Sequence, residues 1–230
     1  MIRLRDVNKV YRRRGEEVVA FRSTSLEIAV GDYVAIVGPS GSGKTTLLSM
    51  LGGMLSPDAG QIWVDGTSVY ECSTRDRSAL RRDKIGFVFQ TFNLVPYMSA
   101  VENVQVPLYL SGVSKTQQRE RAVELLERVG LGERLHHKPS EMSIGQQQRV
   151  ALARTLANRA PVILADEPTG NLDPESRECV LDFFAELHGE GHTIVVVTHD
   201  AVAAGASQRT LALRDGTIAI NASKEPAKAA

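Results

Sequence analysis

The stretch "YVAIVGPSGSGKTTLLSMLGG", residues 33–53, decides the fold. It starts as an apolar run typical of a buried strand, passes through a glycine-rich loop and continues as a helix ending in glycines. Residues 38–46, "GPSGSGKTT", fit the pattern G-x-x-x-x-G-K-[ST]. Glycines let a backbone wrap an anion while successive N–H groups point inward. An ordinary glycine-rich turn is the alternative, but the strand–loop–helix context favours a phosphate-binding loop in an α/β protein.

Two side chains of this loop have predicted tasks. Lys44 is placed to reach the β- and γ-phosphates of a nucleotide, and the Thr45 hydroxyl is placed to bind Mg²⁺. The predicted phosphate-binding residues are Gly38, Pro39, Ser40, Gly41, Ser42, Gly43, Lys44, Thr45 and Thr46.

A second apolar run, "VILADEP" at 162–168, ends in the acids Asp166 and Glu167. Ligands gather at the carboxyl ends of parallel strands, so both acids should lie beside the phosphate loop. There Asp166 can hold Mg²⁺ through water, and Glu167 can polarise an attacking water. The alternative is a pair of solvated acids at a strand end.

Two other polar residues end predicted strands. Gln90 ends "KIGFVFQ" at 84–90, where an amide could sense Mg²⁺ and water. His199 ends "IVVVTH" and could donate a hydrogen bond to a γ-phosphate. A single histidine is more often structural, so both assignments need support from the rest of the sequence.

Composition restricts the class of protein. The chain has 230 residues, 43% hydrophobic and 23% charged, as in an ordinary globular protein. Lys+Arg and Asp+Glu are both 27, so the net charge makes no case for nucleic-acid binding. Cys72 and Cys179 show no disulfide or metal spacing, which favours a reducing cytosol. The longest apolar runs are too short to cross a bilayer, so we expect any membrane-spanning part to come from another chain.

The other elements follow from apolar periodicity. Strands are predicted at 2–7, 16–30, 33–38, 61–66, 84–90, 161–168 and 192–198, and helices at 45–53, 114–132, 146–158 and 174–189. An Asp-Gly turn predicts a hairpin over 210–220. From about Thr91 to Ala160 the pattern indicates a helical insert in the α/β core, and the tail 221–230 is predicted to be disordered.

The segment "EMSIGQQQRVALAR", residues 141–154, predicts a helix start with Ser143 as N-cap. The N–H groups of a helix N-terminus attract anions, and Gly145 would let something approach the backbone closely. Ile144, a bulky β-branched residue, is unexpected in such a turn.

The motifs together resemble one family. The phosphate loop, Gln90, "MSIGQ" at 142–146, "ADEP" at 165–168, "NLD" at 171–173 and His199 occur in the order seen in ATP-binding cassette (ABC) ATPases. The resemblance covers about residues 1–220. It implies a P-loop NTPase with a RecA-like core, a small antiparallel β-subdomain and an α-helical subdomain inserted at 91–160. It also implies ATP and Mg²⁺ as ligands.

The resemblance implies a homodimer that closes head to tail on two ATP molecules. Each ATP would lie between the phosphate loop of one subunit and the signature turn of the other. Ser143, Gly145 and Gln146 would contact the partner's nucleotide, and Asp173 would lie across the interface. The family signature is L-S-G-G-Q, whereas this chain has Met142 and Ile144. Ile144 would either crowd the nucleotide or face away and pack under the helical subdomain.

The remaining roles are also implied by resemblance. Glu167 would be the catalytic base, His199 the γ-phosphate switch, and Gln90 would join Thr45 and Asp166 near Mg²⁺. Tyr11 would stack on adenine, although a plain strand-end tyrosine is the alternative.

Within the family, the sequence most resembles subunits that serve mechanotransmission-type permeases. The resemblance is carried by three stretches, "GEEVVAFRSTSLEIAVGDYVAIVGPSGSGKTT", "IGFVFQTFNLVPYMSAVENVQVPL" and "ADEPTGNLD". These include lipoprotein-release, macrolide- or peptide-export and cell-division complexes. An integral-membrane permease would then be the partner, with this chain peripheral on the cytoplasmic face of the inner membrane. Docking would use Phe92, Leu94, Tyr97 and Met98, for which core filling is the alternative.

Two other functions compete with a permease-linked ATPase. The first is a soluble ABC ATPase that acts on nucleic acid or ribosomes. Linked cassettes, a coiled-coil insert or strong basic charge would favour it, and the sequence shows none of these. A small-molecule kinase built on the phosphate loop leaves the signature turn and His199 unexplained.

Overall fold

The computed structural model describes residues 2–13, 16–170 and 172–220. The strands are β1 Ile2–Arg13, β2 Glu16–Ile28, β3 Tyr33–Val37, β4 Ala59–Val64, β5 Thr67–Ser68, β6 Ile85–Val88, β7 Val162–Asp166, β8 Thr193–Thr198, β9 Arg209–Arg214 and β10 Thr217–Ile220. The α-helices are α1 Lys44–Leu51, α2 Thr74–Lys84, α3 Ala100–Leu110, α4 Lys115–Arg128, α5 Ile144–Thr155, α6 Pro174–Gly189 and α7 Ala201–Gly205. The predicted disordered tail at 221–230 lies outside the described residues.

The strands form two sheets. One has four strands in the order β2-β1-β4-β5, all paired antiparallel. The other has six strands in the order β10-β9-β3-β8-β7-β6. Strands β9, β3, β8, β7 and β6 run parallel, and only β10 is antiparallel. The carboxyl ends of the five parallel strands therefore share one edge, where ligands of α/β proteins collect.

The larger sheet is the middle layer of the molecule. Along β8, Ile194 and Val196 face a hydrophobic cluster shared with α3, α4, α5 and α6. Val195 and Val197 face a second cluster shared with α1 and the small antiparallel sheet. Burial on both faces explains why "TIVVVT" is apolar without alternation, as is typical of parallel strands.

The helical insert lies between β6 and β7, and a serine caps each of its three α-helices. Ser99 caps α3 in a capping box with Glu102, Ser114 caps α4, and Ser143 caps α5. Each serine oxygen accepts a backbone N–H that a helix N-terminus otherwise leaves unpaired. The insert thus packs its own apolar faces on one side of the central sheet.

Several element boundaries differ from the predictions. Helix α2 was not predicted, because its sequence is strongly charged and it buries only Leu80. Helix α5 starts at Ile144 instead of residue 146, since Ser143 is the N-cap. Strand β6 ends at Val88, which puts Gln90 in the following turn instead of at the end of the strand. Within the described parts of the chain, no helix is long and apolar enough to cross a membrane.

Candidate active site

The phosphate loop connects β3 to α1, so the predicted residues 38–46 run from the strand end into the first turn of the helix. Gly43 has φ 100, a backbone conformation that side chains disfavour. A Cβ at Gly43 would also collide with the carbonyl oxygen of Ala20. Glycine is therefore required there both by the backbone angle and by the close approach of β2.

Buried polar atoms converge on the loop. The Lys44 ammonium donates to the carbonyl oxygens of Gly38 at 2.8 Å and Pro39 at 3.1 Å. It also lies 4.0 Å from Oε1 of Glu167. The Ser42 hydroxyl is buried and finds no hydrogen-bond partner among the described residues. A cradle with an inward cation and an unpaired hydroxyl fits the oxygens of a phosphate.

Thr45 and Asp166 meet at the mouth of the loop, where the Thr45 hydroxyl donates to Asp166 Oδ1 at 3.2 Å. Burial raises the pKa of the Asp166 carboxyl, and the hydrogen bond from Thr45 opposes that rise. A hydroxyl and a carboxylate at this spacing match the oxygen ligands that Mg²⁺ prefers. Gln90 approaches the turn that follows Glu167, since a Cβ on Gly170 would come within 3.3 Å of its Nε2.

Glu167 and His199 are in direct contact. Oε1 of Glu167 lies 2.8 Å from Nδ1 of His199, and Oε2 accepts from the Thr198 hydroxyl at 3.0 Å. Glu167 has φ 45, a conformation uncommon for a residue with a side chain. Strands β7 and β8 are neighbours, so the tertiary structure brings together two residues that the sequence assigned separate roles.

Tyr11 stands beside the phosphate loop. It is exposed on β1, and its hydroxyl lies 3.5 Å from Oγ1 of Thr46. The ammonium of Lys9 lies 5.9 Å from its ring centroid. The alternative described Tyr11 as a plain tyrosine at a strand end. Strand β1 continues beyond Tyr11 to Arg13, so Tyr11 does not end its strand.

The signature turn, residues 142–146, is organised by its own hydrogen bonds. The Ser143 hydroxyl accepts from the Gln146 N–H at 3.2 Å, and the Ser143 N–H donates to Oε1 of Gln146 at 3.0 Å. The two residues, both predicted to contact the nucleotide, therefore form hydrogen bonds with each other in this structure. Ile144 is the first helical residue and lacks a positive φ, so its β-branch causes no backbone strain.

Ile144 is 54% exposed. The alternative in which it packs under the helical subdomain is therefore wrong. Ile144 is exposed in the same short turn as Ser143, so its side chain can contact any molecule that binds over that turn.

Gly145 is buried, which differs from the expected open backbone. A Cβ there would lie 3.0 Å from the Cβ of Ser176 on α6 and closer still to its hydroxyl. The structure that approaches Gly145 is therefore α6 of the same chain. Asp173 caps α6 and accepts from the Ser176 N–H at 3.0 Å, which lowers the pKa of its carboxyl. The starts of α5 and α6 are thus in contact. Asn171 of the "NLD" motif lies outside the described residues.

The four predicted docking residues do not share one exposed patch. Tyr97 is 74% exposed, Met98 is half-buried, and Phe92 and Leu94 pack against the core of the helical insert. The Arg154 guanidinium holds the segment by donating to the carbonyl oxygens of Phe92 and Asn93.

A groove of about 670 Å³ lies next to this segment, and none of the four residues lines it. Its lining includes Met54, Phe87, Phe89, Asn93, Leu110 and Arg154. The sequence reasoning missed these residues. The available signal was "GFVF", in which two phenylalanines alternate with valine as in a strand. Strand β6 ends at Val88, and the rings of Phe87 and Phe89 stack with their centroids 5.5 Å apart.

Comparison with known proteins identifies the family. The model of the family described as "ABC transporter" matches residues 21–170. The chain belongs to the ABC transporter family. The macrolide export ATP-binding/permease protein MacB of Hyphomonas neptunium is 46% identical over 229 residues, which cover 100% of this chain and 36% of that protein. An uncharacterised ABC transporter ATP-binding protein of Thermotoga maritima is 48% identical, over 95% of this chain and 93% of its own length.

Solved ABC structures share the fold. The dimeric, post-hydrolysis structure of the ATP-binding cassette MJ0796 of Methanocaldococcus jannaschii, bound to ADP and Pi, superposes with a TM-score of 0.89. Its identity is 41%, over 95% of this chain and 96% of that one. The predicted cassette architecture is therefore confirmed, and the chain is an ATPase of this family.

Proposed function

We propose that this ABC ATPase binds ATP and Mg²⁺ at its phosphate loop and hydrolyses ATP to power a separate integral-membrane permease. The work done is export of a lipid, lipoprotein or peptide, or transmembrane mechanical signalling. The observation that carries the proposal is the cluster of Lys44, Thr45, Asp166, Glu167 and His199 at the carboxyl edge of the parallel sheet.

In the proposed reaction, Lys44 binds the β- and γ-phosphates after exchanging the loop carbonyls for phosphate oxygens. Thr45, Asp166 and Gln90 would hold Mg²⁺, which neutralises charge on the phosphates during phosphoryl transfer. Glu167 accepts a hydrogen bond from the attacking water and orients it toward the γ-phosphorus. Tyr11 is proposed to support the adenine ring, and its contact with Thr46 is consistent with that role.

His199 is proposed to respond to the γ-phosphate. Its Nδ1 is engaged with Glu167, while its side chain is 64% exposed. An exposed ring at a strand end can turn toward a phosphate at little steric cost. That movement would release one oxygen of Glu167 for the attacking water.

A homodimer is proposed for the ATP-bound state. The family relative MJ0796 forms a dimer with ADP and Pi bound. In this chain Ser143, Ile144 and Gln146 lie at the surface at the start of α5, with Asp173 close by on α6. A second copy covering this surface would place an N–H-rich helix start against the γ-phosphate of its ATP.

The permease is proposed to dock at the groove beside residues 87–98 and at the exposed Tyr97. An apolar groove whose lining also includes arginines suits a few buried apolar anchors on the partner. The MacB relative is named as both an ATP-binding and a permease protein, and this chain matches 36% of its length. We do not expect nucleic acid as a partner, because the formal net charge is zero.

Purification from membranes tests the proposal. A tagged full chain should co-purify with one multispanning membrane protein identified by mass spectrometry, and ATPase activity should change when that protein is present. Recovery with ribosomes or nucleic acid and without a membrane protein would instead support the soluble ABC function.

A further inference from the structure

Two buried polar side chains have groups without a hydrogen-bond partner among the described residues. Gln148 on α5 is 0% exposed and Thr169 is 1% exposed. The unpaired atoms are Oε1 of Gln148 and Oγ1 of Thr169. Unsatisfied buried groups are costly and rare in native proteins, so each calls for an explanation.

The two residues border the same segment. Nε2 of Gln148 donates to the carbonyl oxygen of Pro168 at 2.9 Å, and Thr169 is the next residue along the chain. The unpaired atoms are complementary, since an amide oxygen accepts hydrogen bonds and a hydroxyl donates them. In this structure the two atoms are not bonded to each other, since neither has a hydrogen-bond partner among the described residues.

The segment is the one that carries Glu167. Pro168 follows Glu167 directly, and the turn is closed by the Gly170 N–H, which donates to the Glu167 carbonyl oxygen at 3.1 Å. Gln90 approaches the segment at Gly170, and Gln148 holds it at Pro168. The position of the Glu167 carboxylate therefore depends on where α5 holds this turn.

Helix α5 also begins at the signature turn. Gln148 lies four residues after Ile144, which places it one turn along the same helix. A helix moves as a rigid unit, so a displacement of the signature turn also moves Gln148. The amide thus connects the surface proposed to contact the partner's ATP with the catalytic glutamate of its own subunit.

We propose that Gln148 and Thr169 are positioning residues for ATP hydrolysis. In the nucleotide-bound dimer the Thr169 hydroxyl donates to Oε1 of Gln148, and this bond fixes the turn that presents Glu167 to the attacking water. The inference rests on the proposed function, in which Glu167 is the base. Neither side chain is assigned a contact with the nucleotide in this proposal.

Thr169→Val is the decisive variant. It keeps the β-branched shape and removes a hydroxyl that is unpaired in the present conformation, so the melting temperature should be unchanged or higher. The kcat of the full chain should nevertheless fall about tenfold, because misplacing a catalytic group slows the chemical step. The Kd for ATP should be unchanged, and Thr169→Ser, which keeps the hydroxyl, should restore kcat.

A double variant tests whether the two groups act together. Gln148→Met should also lower kcat, and it additionally removes the bond to the Pro168 carbonyl oxygen. The Gln148→Met, Thr169→Val pair should be no slower than Gln148→Met alone, because that variant already lacks the amide oxygen that would accept from Thr169. Gln118→Met is the matched control. Gln118 is a buried amide on α4 whose Nε2 donates to the Val113 carbonyl oxygen at 2.6 Å, within the helical insert, and its loss should leave kcat unchanged.

The outcomes separate this inference from the proposed function. If Glu167→Gln hydrolyses ATP at the wild-type rate, the assignment of Glu167 as base has failed, and that part of the proposed function is overturned. If Glu167→Gln is inactive while Thr169→Val keeps the wild-type kcat, only the positioning role is overturned. A Thr169→Ser variant as slow as Thr169→Val, or additive losses in the double variant, would also overturn it.

Discussion

Nδ1 of His199 and Oε1 of Glu167 lie 2.8 Å apart, at the ends of neighbouring parallel strands. This contact makes Glu167 both the proposed base and the partner of the residue proposed to detect the γ-phosphate. The Lys44 ammonium lies 4.0 Å from the same oxygen. The three residues therefore form one electrostatic unit, in which binding of a phosphate changes the surroundings of the carboxylate.

Glu167→Gln should keep ATP binding nearly intact and stop turnover, because the amide keeps the shape and lacks the carboxylate that orients water. The closed dimer should then accumulate with ATP and elute earlier in size-exclusion chromatography. If this variant hydrolysed ATP at the wild-type rate, the assignment of Glu167 as base would be wrong.

Lys44→Ala should act at an earlier step. Removal of the cation that faces the β- and γ-phosphates should weaken nucleotide binding itself, which a titration with a fluorescent ATP analogue measures. Glu167→Gln, titrated in parallel, should bind normally. Equal affinity in the two variants would contradict the predicted role of Lys44.

Gly145→Ala tests the contact between α5 and α6. In an open helix the change would stabilise by up to about 1 kcal/mol, because alanine has the higher helix propensity. Here the new methyl group would meet the Ser176 side chain, and overpacking costs about 1–3 kcal/mol. We expect the steric term to win, so that urea denaturation shows a less stable protein.

Ser176→Gly is the compensating change for that test, since it removes the side chain that the methyl group meets. Combined with Gly145→Ala, it should restore part of the lost stability. A Gly145→Ala protein more stable than the wild type would show that the contact with Ser176 is absent in solution.

Ile144→Gly should raise ATP turnover and favour the ATP-bound dimer, because the side chain is exposed on the surface proposed to approach the partner's nucleotide. A tenfold gain needs only about 1.4 kcal/mol less barrier. Ile144→Ala is the control, since it shortens the side chain without adding backbone freedom. Turnover per folded molecule should be measured beside the melting temperature, and a lower melting point without a rate gain would reject this expectation.

Polar substitution of the proposed docking residues should separate partner binding from folding. Tyr97→Ser should spare folding and basal ATPase activity while weakening co-purification with the permease, because Tyr97 is exposed. Leu94→Ser should lower the melting temperature, since Leu94 packs against the helical core. Unchanged permease recovery with Tyr97→Ser would place the docking site elsewhere, and the groove lined by Phe89 and Leu110 would be the next target.

Local signals in the sequence predicted most of the fold. The strand–loop–helix around residues 38–46 was predictable because the glycine positions, the lysine and the flanking apolar periods are all encoded within a few residues. Helix 174–189 was predicted with the bounds that the structure has, since Asp173 and Pro174 mark its start. Helix α2 was missed because it buries one side chain and thus lacks an apolar period.

The order of motifs along the chain determined which residues to expect at the site, because each motif carries its chemistry in its residue types. Only the tertiary structure decided which of them touch. Glu167 meets His199 because β7 and β8 are neighbours in the sheet, and Gly145 is closed off by Ser176 because α5 packs on α6. Exposure was decided at the same level: Ile144 and Tyr97 face outward while Leu94 packs inward, although all three are apolar in the sequence. Such contacts join residues far apart along the chain, and burial depends on what the rest of the fold places against each side chain.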